Sequence, residues 1–238
     1  MNEKTAQFSL RGLFQPRDLT EGTPWKTILA FALPIIISYL LQQVYTISDA
    51  AIVGQTLTAG EVAGVNDTTS IIFIFLQFAF GVSAGFCVVT AAEVGAHHEA
   101  GVRRSLAAQI LLSAALTVLL TGLALLLLKP MLAWINVTPE SPEVYRAAHT
   151  YCAIIFAGIG AQLFYNFICS FLRSMGDSVT PLLFLLFSTI LNIGLDLLFI
   201  VSFHWGVAGA AIATVAAQLI STVGCFLYAF IKYPKLRL

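Results

Sequence analysis

The sequence predicts an all-α membrane protein that crosses the bilayer six times. Composition, the length of its apolar runs and the placement of its basic residues each point there. Apolar residues fill 58% of the 238 positions and charged residues only 10%, with a mean hydropathy of +0.89. Soluble domains carry about 25% charge, so a chain this poor in polar groups must have lipid as its solvent over most of its surface. A spanning helix needs about 20 apolar residues, and six runs qualify: 26–53, 62–92, 104–135, 145–173, 179–203 and 207–231. Several exceed that length, which implies tilt or projection beyond the bilayer.

Between the runs lie turn-forming stretches at 54–60, 95–101, 138–142, 176–177 and 204–206. Ten of the twelve lysines and arginines fall on one side of the alternating pattern: Lys4, Arg11, Arg17, Lys26, Arg103, Arg104, Arg173, Lys232, Lys235 and Arg237. The other side holds Lys129 and Arg146 alone. Basic loops stay in the cytoplasm, so both ends are expected there, in the cell membrane. The expected organisation is a polar cytoplasmic segment at 1–25, a six-helix lobe at 26–232 and a basic cytoplasmic tail at 233–238.

Other classes are disfavoured early. No basic cluster could track phosphates, so nucleic acid is not an expected partner. Cys87, Cys152, Cys169 and Cys225 lie in apolar runs without metal-ligand spacing and read as small buried hydrophobes. No cleavable signal peptide is expected, because the first apolar run is too long and lacks a small-residue cleavage site.

Ionisable groups in hydrocarbon are unfavourable by roughly 3 kcal/mol and mark function by default. Asp49 in the first span and Asp196 in the fifth stand out; Glu93 and Asp67 lie closer to helix ends. Ser38, Gln42, Tyr45 and Asp49 share one helical face through their spacings of four, three and four. Ser188, Asn192 and Asp196 repeat at intervals of four on the fifth span. Thr214, Gln218 and Ser221 form a line on the sixth, and Gln162, Asn166 and Ser170 another on the fourth. Facing lipid, such lines would leave amides and carboxylates unpaired, so they must face each other or a wet cavity.

Asp49 and Asp196 lie about four and seven residues from the outer ends of their spans, at similar depth by the helical rise, and Thr214 matches them. Asp49, Asn192, Asp196 and Thr214 are therefore expected to converge, with Gln42, Tyr45, Ser188 and Gln218 supporting a polar cavity. The competing reading, interhelical glue of about 0.6–2 kcal/mol per bond, suits the amides better than the paired carboxylates. A shared site would couple the titrations of the two acids. Pro34, in the middle of the first span, permits a bend that is either static or a hinge.

Gly81-Val-Ser83-Ala-Gly85 matches G-x-S-x-G, yet it sits in an apolar run rather than at a strand-to-helix elbow. An intramembrane serine protease is thus disfavoured, and a small-residue packing face from Gly81 to Gly85 is expected instead. His97-His98-Glu99 reads as a solvated loop rather than a metal site. Asn66 and Asn136 begin acceptor-like tripeptides for glycosylation, the second spoiled by Pro139.

Four segments then carry a family resemblance. Pro34 with Val44-Tyr-Thr-Ile-Ser-Asp49 and Val53-Gly54, Phe171-Leu-Arg-Ser-Met-Gly-Asp177, Asn192-Ile-Gly-Leu-Asp196, and Gly206-Val-Ala-Gly-Ala-Ala-Ile-Ala-Thr214 with Gln218 resemble multidrug and toxic compound extrusion (MATE) transporters. Order and spacing agree from about Pro24 to Tyr233. The resemblance implies a two-lobe plan around a cleft, with this chain as the N-terminal six-helix lobe. It implies export of cationic or amphipathic organic compounds in exchange for H⁺ or Na⁺, with no other cofactor and no enzymatic activity. It also places cation coupling at the positions of Asp49, Asn192, Asp196 and Thr214, and bending at Pro34; Na⁺ at that site is the one metal it allows.

Two departures stand. Leu197 occupies the place where many relatives carry proline after the helix-five aspartate, a change expected to stiffen the helix. The chain also corresponds to one lobe of two, so it is expected to be a fragment, a half-transporter that pairs with a second copy, or a single lobe acting otherwise. A flippase-like exporter of lipid-linked precursors shares the plan but would want a more basic cleft; a non-transporting membrane subunit predicts that neither aspartate matters.

Overall fold

The computed structural model describes residues 23–233. The N-terminal segment before Thr23 and the basic tail after Tyr233, with Lys4, Arg11, Arg17, Lys235 and Arg237, lie outside the described residues. Within them the chain is a helical bundle: α1 (Pro24–Thr56), α2 (Ala59–Gly95), α3 (Glu99–Leu126), α4 (Leu128–Trp134), α5 (Pro142–Ala157), α6 (Ile159–Ser174), α7 (Val179–Asp196) and α8 (Gly206–Lys232). Five helices are long and apolar enough to cross a membrane on their own, taking α7 with its continuation, and the bent pair α5–α6 makes a sixth span.

Local chemistry sets the ends. Thr23 is extended and Pro24 opens α1, where its missing N–H is harmless. A capping box starts α2: Thr58 accepts from the Glu61 N–H while Glu61 accepts from the Thr58 N–H. At the end of α6, Gly176 takes φ 81°, and the Asp177 N–H reaches the Leu172 carbonyl at 2.9 Å. That Gly-dependent turn delivers Asp177 to the start of α7, where its carboxylate accepts from the Thr180 N–H at 3.0 Å. The same carboxylate pairs with Lys232 at 2.7 Å, tying the α6–α7 turn to the end of α8. Burial beside the Asp177 charge pushes the Tyr233 phenol above its ordinary value there.

Three local features differ from the sequence expectation. The third run is two helices, because Pro130 clashes with the carbonyl four residues earlier and ends α3 at Leu126. The fourth span bends by 46° at Gly158, where a Cβ would run into the Val215 side chain. That close approach of α8 needs glycine. Finally, α7 widens into a π-helical segment at Leu197–Ser202, an irregularity after Asp196 that the run of apolar residues did not lead one to expect.

The core forms two layers. Phe156, Ile159, Leu163, Leu132 and Ala211 pack in one, and Phe167, Phe171, Leu172, Leu106 and Cys225 in the other. Helices α2, α5, α6 and α8 are central. Helix α1 lies at the edge against α7, with Pro34 and Val53 as its buried residues. The four cysteines are free and buried. Gly81 and Gly85 do not form the expected packing face, since a Cβ on either would meet nothing within 4 Å. Ser83 points inward instead and donates to the Ala79 carbonyl of its own helix at 2.8 Å.

Candidate functional site

Helices α1, α7 and α8 enclose the polar lines read from the sequence. Asp49 on α1 and Asp196 on α7 bring their carboxyls face to face. Ionised carboxylates only accept hydrogen bonds, so neither can satisfy the other. Accordingly Asp49 Oδ1 and both Asp196 oxygens are buried without a donor. One proton between them would turn the contact into a hydrogen bond, and a bare cation would serve both.

Around this pair the other residues are arranged by helical turns. Asn192, one turn before Asp196, is fully buried with neither amide atom partnered. Tyr45, one turn before Asp49, sets its hydroxyl against Thr214 of α8. Ser188 and Gln218 follow along α7 and α8, each with a buried oxygen lacking a partner. Gln42 is half-buried on α1, seven residues before Asp49 on the same helical face. Pro34 is buried farther along α1, where Ser38 Oγ donates to the Pro34 carbonyl at 2.8 Å. Such back-bonding loosens a helix already short of one backbone bond.

One residue escaped the sequence reading. Tyr151 of α5 stands within electrostatic reach of Asp49, Tyr45 and Asp196 and packs beside Val53, Ile200 and Ala210. It lies nine residues from the start of its helix, so the depth criterion applied to the aspartates would have found it on the fourth span.

The weaker candidates resolve simply. His98 pairs with Glu93 at 2.7 Å on an exposed turn, and among the described residues no three His, Cys, Asp or Glu side chains converge. Ser83 is bonded within its own helix, to the Ala79 carbonyl.

Residues 34–198 match the MatE family model. The chain belongs to the MatE family. It is 32% identical over 227 residues to the "Probable multidrug resistance protein YpnP" of Bacillus subtilis, covering 93% of this chain and 48% of that protein. A second relative from the same organism, "Probable multidrug resistance protein YoeA", is 28% identical over 215 residues, covering 89% of this chain and 45% of its own length. The solved structure of a MOP superfamily transporter from Pyrococcus furiosus superposes with a TM-score of 0.82 at 25% identity, over 90% of this chain and 46% of that one. The chain thus spans about half the length of the curated relatives it matches. MatE proteins are membrane transporters rather than enzymes, and the apolar spans place this lobe in a bilayer.

Proposed function

We propose that the chain is the N-terminal lobe of a secondary-active exporter of cationic or amphipathic organic compounds, driven by entry of H⁺ or Na⁺. The observation that carries this is the face-to-face pair of Asp49 and Asp196 with unsatisfied buried oxygens. Two ionised carboxylates facing each other in a bundle interior repel until a proton or another cation joins them. Binding of that cation draws α1 toward α7, with Asn192 and Thr214 supplying further oxygens. Pro34 and Ser38 give α1 a place to bend in response. A cation shifts the equilibrium only by its differential affinity for the two conformations, and the pair supplies that difference.

In this reading both termini are cytoplasmic and the lobe sits in the cell membrane. A second six-helix lobe, from a longer chain or a second copy, completes the cleft. A lipid-linked, phosphate-bearing cargo is less favoured, because among the described residues no lysine or arginine acts on the carboxylate pair.

Coupled export by membrane vesicles from cells expressing the chain, driven by an imposed H⁺ or Na⁺ gradient, tests this. Asp49→Asn should bring gradient-driven export to background while leaving membrane insertion unchanged. Unimpaired export by that variant would sink the proposal, and the gradient that works names the ion.

A further inference from the structure

The unsatisfied polar atoms do not stop at the carboxylate pair. Two contacts fix how α7 and its π-helical continuation lie against α8: a Cβ at Gly224 would lie 3.2 Å from the Phe184 ring, and one at Gly209 would lie 3.2 Å from Phe199. Both give one antiparallel register. In it Thr214 stands level with Gly194, Gln218 with Ile190 and Ser221 with Phe187. Asp196, Thr214, Asn192, Gln218, Ser188 and Ser221 therefore alternate between the two helices in steps of at most two residues, roughly 3 Å. The ladder runs about 14 Å from the carboxylate pair toward the end where Asp177 meets Lys232.

Helix α6 packs alongside: Thr222 Oγ1 donates to the Ala161 carbonyl at 3.1 Å, and Phe164 and Phe167 meet Phe226. Ser188, Asn192, Gln218 and Ser221 are 2%, 0%, 6% and 0% exposed, and each has a buried polar atom without a partner. Elsewhere in the bundle buried polar side chains such as Thr90, Gln109, Thr189 and Thr222 find backbone or side-chain partners, with Ser113 and Tyr165 as exceptions. Orphaned atoms stacked along one line on two helices call for water or a small cation beside them.

Beyond Ser188 and Ser221 the line turns apolar. Phe184 lies over Gly224 and against Tyr228, with ring centroids 5.9 Å apart. Past it the Asp177, Thr180, Lys232 and Tyr233 cluster is polar again. Hydrophobic constrictions of this kind close aqueous paths by excluding water.

We infer that the α7–α8 seam is a hydrated path for a small monovalent cation, leading from the carboxylate pair toward the Asp177–Lys232 end, with Phe184 over Gly224 as its closure. This rests on the coupling role proposed for the pair and adds the route by which the cation leaves it. Passive flux along the seam needs only this lobe, so the purified full chain in liposomes is a sufficient system. Trapped pH- and Na⁺-sensitive dyes separate the two cations.

Phe184→Ala should raise cation leak by about tenfold over wild type by removing the dry constriction, and adding Ser188→Ala with Ser221→Ala should return it close to wild type. Phe184→Leu, a gentler change, should raise it by about twofold. A monodisperse Phe184→Ala or Phe184→Leu protein with wild-type leak would overturn the path. So would a raised leak that survives the two serine changes or Asp196→Asn. Leak through the seam alongside export that ignores Asp49→Asn would leave the path standing and fail the coupling role instead.

Discussion

Two buried polar clusters sit in the same lobe under opposite accounting. Between α2 and α3, Gln109 Nε2 donates to the Phe86 carbonyl, Thr90 Oγ1 and Ser105 Oγ at 2.9, 2.7 and 2.6 Å. Thr90 and Ser105 are themselves 2.8 Å apart. Every member has a partner from the protein. Among α1, α7 and α8 the reverse holds: Asp49, Asp196, Asn192, Ser188 and Gln218 carry buried atoms without any. The first cluster is complete as folded and can only hold helices together. The second is complete only when something small and polar enters, which is what a binding site requires and a structural joint avoids.

The contrast breaks most sharply at Asp196. Asp196→Asn should reduce gradient-driven export to background without lowering the unfolding midpoint in detergent, because it removes a charge that lacks a partner. The double variant with Asp49→Asn should be no worse than either single one, since residues that act as a unit lose function non-additively. Residual gradient-driven export in either single variant that only the double variant abolishes would mean that the two carboxylates work apart.

At the other cluster the signs exchange. Gln109→Ala strips the donor from three oxygens and should destabilise the lobe by about 1–2 kcal/mol, the range for interhelical bonds in membranes and newly orphaned groups. Export per correctly folded molecule should stay near wild type. A reversible unfolding titration in mixed micelles reads the first quantity and vesicle transport the second. Lost transport at preserved stability would make Gln109 part of the mechanism.

A smaller effect is expected where Asp177 meets Lys232. The pair is partly screened from water and shares Asp177 with Thr180. A double-mutant cycle between Asp177→Asn and Lys232→Met should return a coupling of about 1 kcal/mol, toward the upper end for exposed pairs. A coupling indistinguishable from zero would mean that the α6–α7 turn is held by its glycine and caps alone.

How much of this was legible in the sequence depends on the range of the forces involved. The six spans follow from run length, because bilayer thickness acts on each segment separately, and their ends fall within a few residues of expectation. The convergence of Asp49, Asn192, Asp196 and Thr214 follows from helical spacing and depth, which are also local. What stayed hidden was set by contacts between distant segments. The bend at Gly158 exists because Val215 passes within reach, and the π-helical turn after Asp196 accommodates Gly209 against Phe199. Tyr151 was missed because the positions three and four residues to either side, Ala147, Ala148, Ile154 and Ile155, are apolar, so it stands on no polar line and only depth marks it. Gly81 and Gly85 were misjudged for the same reason as Gly158: a small residue shows that something can approach, and only the fold says whether anything does. The break at Leu127 is the counterexample: Pro130 sets it locally, yet run length alone took 104–135 as one span.

The smallest predicted effect concerns Ser83, and its smallness is informative. Ser83 is fully buried near the middle of α2, flanked by glycines in a pattern that belongs to serine nucleophiles elsewhere. Yet its hydroxyl is committed to the Ala79 carbonyl one turn back, a bond that competes with the helix rather than adding to it. Alanine fills the same space and has the higher helix propensity by roughly 0.5 kcal/mol. Ser83→Ala should therefore leave transport unchanged and move the unfolding free energy by no more than about 0.5 kcal/mol, in either direction. Burial alone does not make this serine functional, because its oxygen already has an owner, whereas the orphaned oxygens of Ser188 and Ser221 do not. A clear transport defect in Ser83→Ala would erase this distinction between owned and orphaned hydroxyls.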